Sequence, residues 1–182
     1  MPDVANRLTS RGCALSPADV VALDSLAPGG LHSSWLEFLL RYNVAVPERS
    51  WYGGQRFAVA HFFGVSSVPG EDFAAAVDRY RERLAARHVP IAAADGGNLV
   101  CMDARGRIFY WDHERHDRAV DDEDALEDVE PPVQVAATLN EFIQSLAPRP
   151  AEPALKPEDV VTTVKSEDFD EIFTQYKIDD AQ

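Results

Sequence analysis

Asp95-Gly96-Gly97-Asn98 leads into Leu99-Val100-Cys101-Met102-Asp103-Ala104, and Arg105-Gly106 then leads into Arg107-Ile108-Phe109-Tyr110-Trp111-Asp112. Two short apolar runs separated by a Gly-containing turn read as a β-hairpin. The glycines supply the positive φ that such turns need. Neighbouring residues on a strand point to opposite faces, so of Tyr110 and Trp111 one is core and the other is at least partly available. Gly96, Gly97, Asn98, Gly106, Trp111 and Asp112 are therefore read as determinants of the fold, with Asn98 able to bond its own backbone in the turn.

Working outward from the hairpin, residues 71–87 are rich in Ala, Arg and Glu, with Phe73, Val77, Tyr80 and Leu84 at helical spacing and the arginines on a solvated side. Upstream, Gly53-Gly54 opens a strand over Phe57–Phe63, with Phe57, Val59, His61 and Phe63 on one face, and Gly64 closes it. Before that, Ser34 and Glu37 have capping-box spacing, and Trp35, Phe38, Leu39 and Tyr42 form a single apolar helical stripe. Ser16-Pro17-Ala18-Asp19 predicts a capped helix running to about Leu26 and ended by Pro28-Gly29-Gly30. Downstream, Val133–Leu146 reads as a helix whose Val135, Leu139, Phe142 and Leu146 share a face, started by Pro131-Pro132 and stopped by Pro148.

Mixed strands and helices make this an α+β chain. With 182 residues, 46% of them hydrophobic, it can hold one ordinary core. The boundary falls where prolines accumulate at 148, 150, 153 and 157: residues 1–147 are the domain, and 148–182 are a Pro-rich linker with an acidic tail. In that tail Ser166 can cap a short amphipathic helix lined by Phe169, Ile172, Phe173 and Tyr176. No internal repeat is visible.

The formal charge is −14, and its distribution is uneven. Residues 1–116 hold 12 Arg and 13 Asp or Glu, whereas residues 117–182 hold 5 basic and 18 acidic residues. Nucleic-acid binding needs Lys and Arg to displace counterions from phosphates, so this polarity argues against DNA and RNA, and equally against anionic membranes. Solubility alone would account for the excess. An acidic surface also steers a basic protein towards itself. The run Asp121-Asp122-Glu123-Asp124, continuing to Glu127, Asp128 and Glu130, is too charged to pack; it is read as an exposed loop and as the candidate partner-binding surface. No segment has the length and apolarity of a membrane span, and no N-terminal leader is visible, so the expected location is the cytoplasm. Cys13 and Cys101, far apart and outside any metal spacing, read as reduced, small apolar fillers.

The chemical motifs are weak. Asp112-His113-Glu114-Arg115-His116 clusters ligand-type side chains, but its histidines are three apart in a turn and not one helical turn apart around a glutamate base. A third zinc ligand at known spacing is missing, so both are read as surface histidines. No GxSxG elbow or phosphate loop exists, and the many carboxylates do not single out a pair. The expectation is a protein that is not an enzyme and that carries no metal or other cofactor.

The hairpin residues, Asp95–Asp103 and Gly106–Glu114, resemble the central signature of the SUKH superfamily, in which a Gly-Gly-Asn turn opens one strand and a second strand ends in Trp-Asp-His-Glu. Leu36-Glu37-Phe38-Leu39-Leu40 with Tyr42-Asn43 is similar to the family's early helix, and Leu139-Asn140-Glu141-Phe142-Ile143 resembles its closing one. The likeness spans about Leu31 to Leu146. It implies a single domain with a central, largely antiparallel sheet flanked by helices. It also implies a non-catalytic immunity protein that binds and neutralises a toxin domain, here one with a basic face such as a nuclease. Fungal relatives regulate cell-wall assembly, which keeps open a regulatory scaffold or adaptor that binds a cellular protein. Where the family has Asn-Gly-Gly after the early helix, this chain has Asn43-Val44-Ala45, so a different turn is expected there, and the tail after Pro148 lies outside the pattern.

Overall fold

The computed structural model describes residues 8–27, 29–84, 88–114 and 131–150. Its strands are β1 (Leu8–Ser10), β2 (Ala45–Pro47), β3 (Trp51–Tyr52), β4 (Phe57–Phe62), β5 (His88–Ala94), β6 (Leu99–Asp103), β7 (Ile108–Trp111) and β8 (Val133–Ala136). Its helices are α1 (Pro17–Asp24), α2 (Ser33–Tyr42), α3 (Phe73–Tyr80) and α4 (Leu139–Ser145), and Asp95–Gly97 forms one 3-10 turn. The strands make one sheet in the order β1-β2-β4-β5-β6-β7-β8, with β3 beside β4. All the pairings between these strands are antiparallel. The architecture is α+β, as the sequence implied.

The hairpin is β6–β7, in register from Leu99↔Trp111 to Met102↔Ile108. All five residues of β6 are buried, so both faces of the sheet are covered at its centre. On the face carrying Leu99 and Trp111, Tyr80 of α3 packs edge-on to Trp111, ring centroids 5.7 Å apart. On the other, Tyr110 stacks on Phe57 at 4.3 Å, and Phe57 lies against Phe142 of α4. The hairpin turn is tied by Asp103, which is buried and accepts from the Arg105 and Arg107 N–H groups, each at 2.9 Å, and from Arg107 Nε at 2.8 Å. Burial alone would raise the Asp103 pKa. The Arg107 N–H, its guanidinium group and the Arg105 N–H together outweigh that, and the carboxyl sits below its usual range. Gly106, at φ 80, lies where a Cβ would come within 2.6 Å of the His32 ring.

α1 starts as expected. Ser16 Oγ accepts from the Asp19 N–H, and Asp19 accepts from the Ser16 hydroxyl and N–H, which hold its carboxyl below the usual range. α2 buries Trp35, Phe38 and Leu39, yet it begins two residues earlier than the capping-box reading: His32, not Ser34, is the N-cap, its Nδ1 accepting from the Ser34 N–H. The expected face alternation of β4 breaks at a bulge between Val59 and His61. Phe62 and Phe63 are consequently both buried while Ala60 is exposed. α3 is shorter than read, ending at Tyr80, although Leu84 stays buried.

Two elements depart further. β5, between β4 and β6, was not legible as a strand, because Pro90 and the run Ala92-Ala93-Ala94 both argue against a central strand. Pro90 is tolerated at a register shift between it and Ala92. The expected helix over Val133–Leu146 is instead β8 followed by α4. Val133–Ala136 pairs with β7, and Thr138 caps α4 by accepting from the Glu141 N–H. Four residues suit either period, and the free edge of β7 decided it.

Asn43 stands where the family pattern has Asn-Gly-Gly, and positions 44 and 45 here are Val and Ala. Asn43 is a buried non-glycine residue at φ 51, held by Nδ2 donating to the Cys13 and Val65 carbonyls and Oδ1 accepting from the Val65 N–H. The glycines 12 and 64 lie against its side chain, where a Cβ would collide. Of the cysteines, Cys101 is buried, and burial pushes its thiol pKa up; Cys13 is exposed and is not a core filler.

Candidate functional site

The strand register gathers several connections at one end of the sheet. Pairing of Tyr52 with Phe57, Val59 with Ala94, Leu99 with Trp111 and Tyr110 with Val133 brings residues 53–56, the 95–98 turn, residues 112–114 and Pro131-Pro132 to the same side. The candidate partner-binding acids Asp121, Asp122, Glu123, Asp124, Glu127 and Asp128 lie outside the described residues. The two ends of their segment do not: Glu114 and Pro131 flank it at this end of the sheet.

Asn98 is the organiser. Its Nδ2 donates to the Tyr110 hydroxyl at 2.7 Å, and its Oδ1 accepts from the His113 N–H at 3.0 Å and lies 3.0 Å from His113 Nδ1. The side chain thus does not close its own turn, as the sequence suggested; it fastens the β5–β6 turn to the chain leaving β7. His113 is correspondingly half-buried and engaged, not a plain surface histidine, while His116 lies outside the described residues. Asp112 Oδ1 accepts from the Glu114 N–H at 3.0 Å, a local turn just past the end of β7. Asp95 accepts from the Ala58 N–H at 3.0 Å and ties the same turn to β4. Gly96 and Gly97 have φ 68 and 82, and a Cβ on Gly97 would press on the His113 ring at 3.4 Å. Trp111 is the core member of its pair, at 4% exposure, and carries the Arg83 guanidinium 5.1 Å above its ring.

Beside this latch runs a groove of about 180 Å³ between α3 and the β5–β6 turn. Ala75, Ala76, Arg79 and Tyr80 form one wall, Ala93, Ala94, Gly97 and Asn98 the other, and Phe63 and Leu99 also line it. A second, more open depression of about 120 Å³ lies between α2 and α4, lined by Glu37, Phe38, Arg41, Tyr42, Leu139 and Ile143 among others. The sequence reading missed both. The only signal for the first was a pair of alanine triplets, 74–76 and 92–94, small residues on what prove to be facing elements.

The described surface is close to neutral, because residues 115–130 hold eight acids against two Arg and residues 151–182 hold nine acids against three Lys. Among the described residues no group of three or more His, Cys, Asp or Glu is placed to hold a metal, and no helix is long and apolar enough to cross a membrane. What the arrangement offers is a shaped surface: an apolar groove, a hydrogen-bonded latch and the root of an acidic segment.

Residues 15–145 match the SMI1 / KNR4 family (SUKH-1). The chain is also 34% identical over 94 residues to an SPbeta prophage-derived uncharacterized protein, YokK, of Bacillus subtilis (strain 168). That match covers 51% of this chain and 43% of the relative, so the chain spans less than half the length of the curated protein it resembles. The family match covers the sheet from β2 to β8 and the four helices of the described residues, with the Asn98 latch at its centre, and the chain belongs to the SMI1 / KNR4 (SUKH-1) family.

Proposed function

We propose that this chain is a non-catalytic, cytoplasmic immunity-type protein that binds and neutralises a toxin domain with a basic face, such as a nuclease. The observation that carries the reading is the placement of charge in a chain of this family: a near-neutral folded body, with a segment of net charge −6 over residues 115–130 rooted beside an apolar groove. Such a segment raises encounter rates with a basic partner and competes for the surface that would otherwise hold phosphate. The six acids from Asp121 to Asp128 are assigned to that contact. The domain is taken to end at 147, with 148–182 a linker and tail.

The test is co-expression with the product of the neighbouring reading frame. Co-purification, together with rescue of cells from that product's toxicity, supports the reading; a neighbour that neither binds nor harms cells overturns it. A regulatory scaffold is the second reading, favoured by the amphipathic spacing of Phe169, Ile172, Phe173 and Tyr176. Deleting residues 149–182 separates the two, since neutralisation then persists, whereas a scaffold working through that spacing loses its partner.

A further inference from the structure

We infer that the groove between α3 and the β5–β6 turn is a docking slot for one phenylalanine-sized side chain of a protein partner, with a carboxylate next to it in the partner's chain. This rests on the reading above that the chain acts by binding a protein. Both walls are cut back to alanine where they face each other, Ala75 and Ala76 on α3 and Ala93 on β5, which shares its sheet face with Leu99 and Trp111. Alanine is a natural choice in a helix and a poor one in a central strand, so its use in β5 calls for a reason in the space it leaves. That space, about 180 Å³, suits a phenyl ring, because an apolar cavity of about 150 Å³ takes up benzene. Phe63 and Leu99 give the ring apolar contacts, while the polar lining groups Asp72, Arg79 and Asn98 leave room for a polar neighbour beside it.

Charge at the mouth selects the neighbour. Asp72, the one acid lining the slot, is already committed, its Oδ1 accepting from the Ala75 N–H at 2.8 Å and its Oδ2 from the Ser66 N–H at 3.3 Å. Arg79, on the same helix, is exposed and makes no ion pair or hydrogen bond within the structure described. A guanidinium with no partner among the described residues, beside a slot with apolar walls, favours an apolar side chain flanked by Asp or Glu. The depression between α2 and α4 shows no such preference, since its charged lining residues, Glu37 and Arg41, are of opposite sign.

The experiment uses the full chain carrying methyl-labelled alanine and three blocked tetrapeptides, Gly-Phe-Asp-Gly, Gly-Phe-Lys-Gly and Gly-Ala-Asp-Gly. The Phe-Asp peptide is expected to shift the Ala75, Ala76 and Ala93 methyl signals saturably. The Phe-Lys peptide should bind about tenfold more weakly, roughly the effect of one charge-assisted hydrogen bond, and the Ala-Asp peptide should not bind. Ala75→Trp, at an exposed helix position, fills the slot and abolishes the shifts, while Arg79→Glu reverses the order of the Asp and Lys peptides. Absent or non-saturable shifts, or shifts that survive Ala75→Trp, overturn the slot. So does a toxin that binds Ala75→Trp as tightly as the unaltered chain, although the neutralisation reading then stands. Saturable peptide binding without any co-encoded toxin has the opposite meaning: the slot stands and neutralisation falls.

Discussion

Replacing Trp111 by alanine tests the packing that holds the latch end of the sheet together. The indole is 4% exposed, lies edge-on to Tyr80 at 5.7 Å and is covered by Arg83 at 5.1 Å, so its removal opens a cavity between β7 and α3 that neither rigid wall can fill. Lost transfer energy and the residual cavity together cost about 3 to 5 kcal/mol for a buried Trp. Against a total stability of about 5 to 15 kcal/mol, that is from about a fifth of the whole to nearly all of it. At roughly 3 to 5 °C per kcal/mol, the melting temperature should fall by about 10 to 20 °C. Thermal melts followed by far-UV circular dichroism, with urea titrations beside them, read this directly: the urea midpoint falls while the slope stays constant. A melting temperature within about 3 °C of the unaltered protein would refute the claim that Trp111 is a core residue clamped by α3.

The remaining predictions concern the polar groups. Asp103 has a folded-state pKa below the usual 3.8, so its stabilisation is complete above that value and is lost as pH falls through the lower folded value; Asp103→Asn should cost about 2 to 3 kcal/mol at neutral pH and flatten the acid limb of a stability profile below about pH 4. Asn98→Ala removes bonds to Tyr110 and His113 and should cost about 1 to 2 kcal/mol, with faster amide hydrogen exchange at His113 as the local readout; unchanged exchange would mean that the latch does not hold that chain. If the proposed toxin is the partner, reversing Asp121, Asp122, Glu123 and Asp124 to Lys should slow association with it in stopped-flow measurements and weaken its salt dependence. Unaltered kinetics remove the segment from the interface.

How far the fold was legible follows from where each element gets its stability. The β6–β7 hairpin and the start of α1 are specified locally, by Gly-containing turns and by the Ser16–Asp19 box, and both are found where the sequence placed them. Elements decided by their neighbours were misread or missed. Val133–Ala136 is a strand because β7 offers it an edge. His88–Ala94 is a strand despite Pro90 and three alanines, because β4 and β6 pair with it from both sides and a register shift accommodates the proline. Local propensity pointed away from a strand at 88–94 and was indecisive at 133–136, and tertiary pairing settled both.

The same distinction explains the site. Gly96, Gly97 and Asn98 look, one by one, like the residues of any tight turn, and nothing in their spacing shows that Asn98 reaches across to Tyr110 and His113. The contact forms because the Leu99↔Trp111 register sets the turn beside the end of β7, which is a property of the sheet and not of the motif. In consequence, residues that stabilise the hairpin also fix where the acidic segment leaves the body and how one wall of the apolar groove is oriented. Partner affinity and fold stability should therefore be coupled at Asn98 and separable at Ala75 and Arg79, which line the groove without holding the sheet together.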